Sequence, residues 1–93
     1  MQTTIVTKVP AVKLDRNIQW SIRNSAGTLR TAAFGNLTLI VEDYGQLGYY
    51  IRIRDGGETV DAAQMARNAN GYYDAPVRNA MTLAESMAKA VAK

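Results

Sequence analysis

The sequence predicts an α+β domain, an antiparallel β-meander of about five strands packed by one C-terminal α-helix. Three observations carry that expectation. From Leu37 to Ala63 apolar and polar residues alternate through two successive hairpin patterns. Asp55-Gly56-Gly57-Glu58 and Tyr44-Gly45-Gln46-Leu47-Gly48 supply the turns between them. Beyond Pro76 the period changes to that of a helix, with Val77, Ala80, Met81, Ala84, Met87, Ala88 and Val91 on one stripe.

Taken in chain order, Thr3 to Val9 alternates loosely and ends before Pro10, which reads as an edge strand or ordered arm. Val12 to Arg16 fits no single element. Ile18, Trp20 and Ile22 alternate with Gln19, Ser21 and Arg23, and Asn24-Ser25-Ala26-Gly27 then offers a turn with glycine placed for the left-handed position. Thr28 to Phe34 is the returning strand, and Gly35-Asn36 turns the chain into Leu37.

The register of the next two hairpins follows by counting outward from their turns. Centring the first on Gln46 sets Leu39 opposite Ile53, Ile40 opposite Arg52, Val41 opposite Ile51 and Glu42 opposite Tyr50. In the second, adjacent glycines allow a tight primed turn, so Asp55 faces Glu58, Arg54 faces Thr59, Ile53 faces Val60, Arg52 faces Asp61 and Ile51 faces Ala62. Ile51, Ile53, Val60 and Ala62 are then the core face, while Arg52 sits in a charge ladder with Asp61 and Glu42.

After Ala62, continuation of the strand into a loop is preferred to a short helix over Ala62 to Ala69. The loop Arg67-Asn68-Ala69-Asn70-Gly71-Tyr72-Tyr73 follows. Asp74-Ala75-Pro76 starts the helix, which is expected from about Ala75 to Ala92. Arg78, Asn79, Thr82, Glu85, Ser86 and Lys89 are expected to face away from the core, with Glu85 and Lys89 forming an i,i+4 pair.

With 93 residues, the chain is expected to form one domain, residues 1–93, able to bury about 60 to 65 % of its unfolded surface. Its 47 % hydrophobic and 20 % charged content is that of a globular protein. No apolar run approaches a membrane span, and Met1-Gln2-Thr3-Thr4 does not open a signal peptide. A cytoplasmic setting is expected, which the absence of cysteine fits.

Histidine is absent as well, and this is the more restrictive fact. Imidazole supplies most general bases at neutral pH, the nucleophile–base relays and most zinc and iron sites. The glycines form no phosphate-cradling motif, and no Gly-Lys-Ser or Gly-Lys-Thr occurs. No catalytic residue, metal or cofactor is therefore expected, and the Glu42/Asp61 pair across Arg52 reads as a solvent-face ladder rather than an acid–base pair.

Two surfaces are candidates for binding. Tyrosine and arginine dominate protein interfaces, which points to Tyr72 and Tyr73 with Arg67 and Arg78, assisted by Tyr44 on a neighbouring turn. The net charge of +3 permits a nucleic-acid reading, in which Tyr50, Arg52 and Arg54 on the polar sheet face meet bases and phosphates. The basic residues look dispersed, and Glu42 and Asp61 oppose phosphate on that face.

The hairpin Gly48-Tyr49-Tyr50-Ile51-Arg52-Ile53-Arg54-Asp55-Gly56-Gly57 and the closing helix Asp74-Ala75-Pro76-Val77-Arg78-Asn79-Ala80-Met81 give the whole chain an architecture that resembles small accessory inhibitors of phages and mobile elements, of the anti-CRISPR type. The resemblance is one of architecture and transfers no residue. It implies a non-enzymatic plug that sterically occludes a larger protein or ribonucleoprotein complex. Nucleic acid stands second as partner, no membrane is implied, and a homodimer through an edge strand is a third reading.

Overall fold

The computed structural model describes residues 4–6, 13–45, 48–65 and 77–92. They form one six-stranded sheet and one helix: β1 (Thr4–Val6), β2 (Ser21–Ile22), β3 (Leu29–Phe34), β4 (Leu37–Asp43), β5 (Tyr49–Asp55), β6 (Glu58–Met65) and α1 (Val77–Val91). The order across the sheet is β1-β6-β5-β4-β3-β2. Strands β2 to β6 are the antiparallel meander read from the sequence, packed by the C-terminal helix.

Short turns set that order. Phe34 pairs with Leu37 across Gly35-Asn36, and Asp55 with Glu58 across Gly56-Gly57. Gly35 and Gly56 take φ of 60° and 61°, whereas neither Asn36 nor Gly57 has a left-handed φ. The hairpin at Gly56 thus needs glycine at its first central position only, not at both as the sequence suggested. The β4/β5 register follows the apolar alternation throughout, with Leu39 opposite Ile53, Ile40 opposite Arg52, Val41 opposite Ile51 and Glu42 opposite Tyr50.

The β5/β6 ladder departs from the expected one. Asp55–Glu58 and Arg54–Thr59 pair as read, but a bulge then places Asp61 opposite Ile53, Ala62 opposite Arg52 and Ala63 opposite Ile51. Asp61 is therefore not across from Arg52; Asp61 and Ala63 stand opposite Ile53 and Ile51 where Val60 and Ala62 were expected, while Val60 still packs against the core. The physical reason lies two rungs on. An unbroken register would set Gln64 against Tyr49; the bulge sets Met65 there, and both Met65 and Tyr49 are buried.

The N-terminal strand differs in direction. β1 runs parallel to β6, Thr4 opposite Ala63 and Val6 opposite Met65, so it is an edge strand but no part of the meander. Since β1 and β2 lie at opposite edges, the chain between them spans the sheet. The described part of that crossing, residues 13–20, contributes buried Ile18 to the core cluster, with Leu14 and Trp20 packed against it. The expected strand through Ile18, Trp20 and Ile22 shrinks to Ser21–Ile22, because the Ile18 amide closes a turn onto the Asp15 carbonyl at 3.1 Å and the Trp20 indole turns to the helix.

The core lies between one sheet face and α1. Leu39, Val41, Ile51 and Ile53 from the central strands meet Ala80, Ala84 and Ala88, whose small side chains let the helix lie close. Two residues assigned to the outer face of α1 are in fact buried. Thr82 returns its hydroxyl to the Asn79 carbonyl at 2.9 Å, and Glu85 is only 3 % exposed. Asp74 and the helix start at Ala75 lie outside the described residues, as do residues 66–69 of the strand-or-helix choice; the strand holds as far as Met65.

Candidate functional site

The face of the sheet opposite α1 carries Tyr50, Arg52 and Arg54 on β5, Thr38, Ile40 and Glu42 on β4, and Ala62 and Gln64 on β6. No described element packs over it. Alternation puts these residues here: every second position of β5 is Tyr49, Ile51 or Ile53 and belongs to the core, so the intervening ones must point to the other side.

At the centre of the face Arg52 shares a rung with Ile40 and Ala62, both buried. Its Nη2 donates to Glu42 Oε1 at 2.8 Å, an ion pair that is about a quarter to a third exposed at each side chain. Arg54 donates from Nη2 to the Gly57 carbonyl at 2.8 Å. The Nε atoms of both arginines are shut off from solvent without an acceptor, so the stems lie against the sheet and the outer guanidinium nitrogens do the bonding.

Tyr44 joins this group. The turn after β4 is closed by the Tyr44 amide donating to the Gly48 carbonyl at 2.9 Å, while the Gly45 amide donates to Asp43 Oδ1 at 2.8 Å. This turn lays the Tyr44 ring beside Tyr50, with centroids 6.2 Å apart and planes tilted by 54°. That is the offset, tilted geometry aromatic pairs prefer. Burial first, then the negative charge of Glu42 and a hydrogen bond donated to it, raise the Tyr44 phenol above its ordinary pKa. Tyr44 is nonetheless 50 % exposed, and the Arg52–Glu42 pair beside it is partly exposed.

The residues expected to bind are thus regrouped. Tyr44, which the sequence placed with the tyrosine loop, sits with Tyr50, Arg52 and Arg54. Arg78 is exposed on the first turn of α1, on the other side of the sheet. Arg67, Tyr72 and Tyr73 lie outside the described residues. The arrangement offers stacking area and preset polar ends, and Arg52 reaches it already neutralised by Glu42. At the opposite end of β4 and β5, a shallow groove lined by Phe34, Leu37, Asp55 and Val91 separates the β3–β4 turn from the end of α1.

One further cluster escaped the sequence reading. Glu85 accepts from the Asp15 amide and from Trp20 Nε1, each at 2.9 Å, and Asp15 pairs with Lys89 at 2.9 Å. Lys89 is thus tied to Asp15 rather than to Glu85 by the expected i,i+4 pair. No local pattern signals contacts across 65 and 70 residues.

No protein-family model, no curated protein and no solved structure matches this chain. No helix among the described residues is long and apolar enough to cross a membrane.

Proposed function

We propose that this protein is a non-enzymatic binding module that acts in the cytoplasm as a small inhibitor of the phage or mobile-element kind, occluding a larger host protein or complex. The observation that carries the reading is the sheet face opposite α1, over which no described element packs and on which Tyr44 and Tyr50 pair beside the Arg52–Glu42 ion pair. Rigid tyrosines supply contact area at low entropic cost, and a guanidinium held by a carboxylate keeps its direction when a partner arrives. Tyr50 and Arg52 stand on a central strand of a packed sheet and Tyr44 in the hydrogen-bonded turn beside it, so little ordering is required on binding.

The mixed charge of the face favours protein over nucleic acid. The charge of Arg52 is balanced by Glu42, and Arg54 has one donor engaged by the Gly57 carbonyl, which leaves a single uncompensated arginine on the face for a phosphate. A role for Arg67, Tyr72, Tyr73 and Arg78 belongs to the proposal as a second contact region, with Arg78 on the helix side of the sheet.

The test is capture from a bacterial host lysate by wild-type protein and by the Tyr44→Ala/Tyr50→Ala variant, with and without nuclease. The expected result is a protein partner that survives nuclease and binds the variant at least about thirtyfold more weakly, the effect of losing on the order of 2 kcal/mol at an interface centre. A partner lost on nuclease treatment, with salt-steep binding of single-stranded DNA that depends on Arg52 and Arg54, would replace this reading with the nucleic-acid one.

A further inference from the structure

The basic residues look scattered along the sequence, but the strand order sorts them. From Lys13 to Phe34 the chain carries Lys13, Arg16, Arg23 and Arg30 against a single acid, Asp15, which Lys89 already pairs. From Leu37 to Met65 it carries Glu42, Asp43, Asp55, Glu58 and Asp61 against Arg52 and Arg54. Since β2 and β3 form one side of the sheet and β4 to β6 the rest, the β2 side is basic and the remainder acidic.

Among the described residues that basic side ends in an open edge. β2 is the outermost strand and only two residues long. The Arg23 amide donates inward to the Leu29 carbonyl at 2.8 Å. In an antiparallel ladder successive residues turn their backbone groups to opposite sides, so Ile22 directs its N–H and C=O away from β3, toward the free edge. Its side chain is 57 % exposed, the most exposed of the large hydrophobic residues described, and it stands opposite Arg30 on the same rung.

We propose that the outer edge of β2 takes up an extended, acidic segment of a partner protein as an added strand. Ile22 supplies the backbone pair and the apolar contact on one sheet face, Arg23 on the other face meets the carboxylates that alternate with the apolar residues of the incoming strand, and Arg30, opposite Ile22 on the next strand, adds its positive charge to the edge. Charge complementarity selects the occupant. A second copy would bring the same arginines edge to edge and be repelled, which is how charged, short edges avoid self-association. A nucleic acid would look for exposed aromatic rings to stack on, and Trp20, next to β2 in the chain, is partly buried with its indole N–H given to Glu85. This site is the β2 edge; of its residues only Arg23 shares the face of Tyr50 and Glu42, with β3 and β4 between it and Tyr50, and the two sites are tested independently.

The experiment is a titration of isotope-labelled full-length protein with acetylated, amidated Glu-Ile-Glu-Val-Glu, followed by amide NMR shifts. The expected result is saturable shifts at Ile22, Arg23 and Arg30 with a dissociation constant on the order of a millimolar or tighter, weakened at least about tenfold in Arg23→Glu/Arg30→Glu and by added salt. Methylating the central peptide nitrogens removes the strand's donors and should abolish binding; the Tyr44→Ala/Tyr50→Ala variant should bind as wild type. Circular dichroism of each variant establishes that it is folded. Equal binding of the methylated peptide, binding of oligothymidylate instead, concentration-dependent dimerisation through β2, or no shifts at millimolar peptide each overturns the proposal.

Discussion

Trp20 and Glu85 are joined by a 2.9 Å hydrogen bond from the indole Nε1 to the buried carboxylate, and the second oxygen of that carboxylate receives the Asp15 amide at the same distance. One helical side chain thereby fastens the segment before β2, at Asp15 and Trp20, to α1. A carboxylate that is 3 % exposed depends on such donors, since burying a charge without them is costly.

Trp20→Phe keeps the ring bulk but leaves one Glu85 oxygen without its donor. Removing one partner of a buried charged hydrogen bond costs about 1 to 3 kcal/mol. Urea unfolding should show the midpoint fall with an unchanged slope. Glu85→Leu, which strands two donors instead of one acceptor, should cost at least as much; if both variants match wild type, the crossing is not held by this contact.

The Asp15–Lys89 pair gives this fastening a pH window. The hydrogen bond to Lys89 first, then the Asn17 amide, lowers the Asp15 pKa, and the bond to Asp15 raises that of Lys89. A lowered carboxylate contributes stability above its unfolded pKa of about 3.8 that is lost as pH falls through the folded value. A raised lysine contributes below about 10.5 and loses that as pH climbs through its folded value. Between these limits Lys89→Met should be less stable than wild type, and the difference should vanish at both extremes. Thermal unfolding across pH reads it, and the difference should shrink with salt because both groups reach solvent.

Gly56 and Gly57 should respond unequally to alanine. A Cβ at either would meet nothing within 4 Å, so space does not distinguish them. Backbone conformation does: only Gly56 is left-handed, with φ of 61°. Gly56→Ala should cost roughly 1 to 2 kcal/mol from the left-handed strain, whereas Gly57→Ala should be near neutral or stabilise by a few tenths through the unfolded chain. Equal costs in chemical denaturation would mean that both positions need the glycine conformation.

How much of the fold is legible in the sequence depends on how tightly each stretch constrains the chain. Leu39, Val41, Ile51 and Ile53 are large, so a one-residue slip would expose them, and the β4/β5 register follows from the apolar pattern alone. Ala62 and Ala63 fit either face, so nothing in that stretch signals that the ladder shifts at Val60 to bury Met65. The parallel pairing of β1 is equally silent, since its partner strand lies nearly sixty residues away and no local turn joins them. Of the candidate site, alternation gives Tyr50, Arg52 and Glu42 a common face, but the placement of Tyr44 against Tyr50 depends on how the turn closes. The basic edge is invisible element by element, because only the sheet order brings two short basic stretches together.

Tyr44 provides a direct probe of the face itself. Its phenol is raised by burial first and by Glu42 second, and that same carboxylate holds Arg52. Ring-carbon NMR through an alkaline titration should place Tyr44 above free tyrosine. Glu42→Gln removes the charge and leaves the burial, and should bring the midpoint back only part of the way. The same variant frees the Arg52 guanidinium, which should increase the salt-sensitive affinity for single-stranded DNA while weakening the protein partner. A Tyr44 midpoint unmoved by Glu42→Gln would mean that the phenol and the carboxylate do not touch in solution, and that the proposed interface lacks its preset Tyr44–Glu42–Arg52 centre.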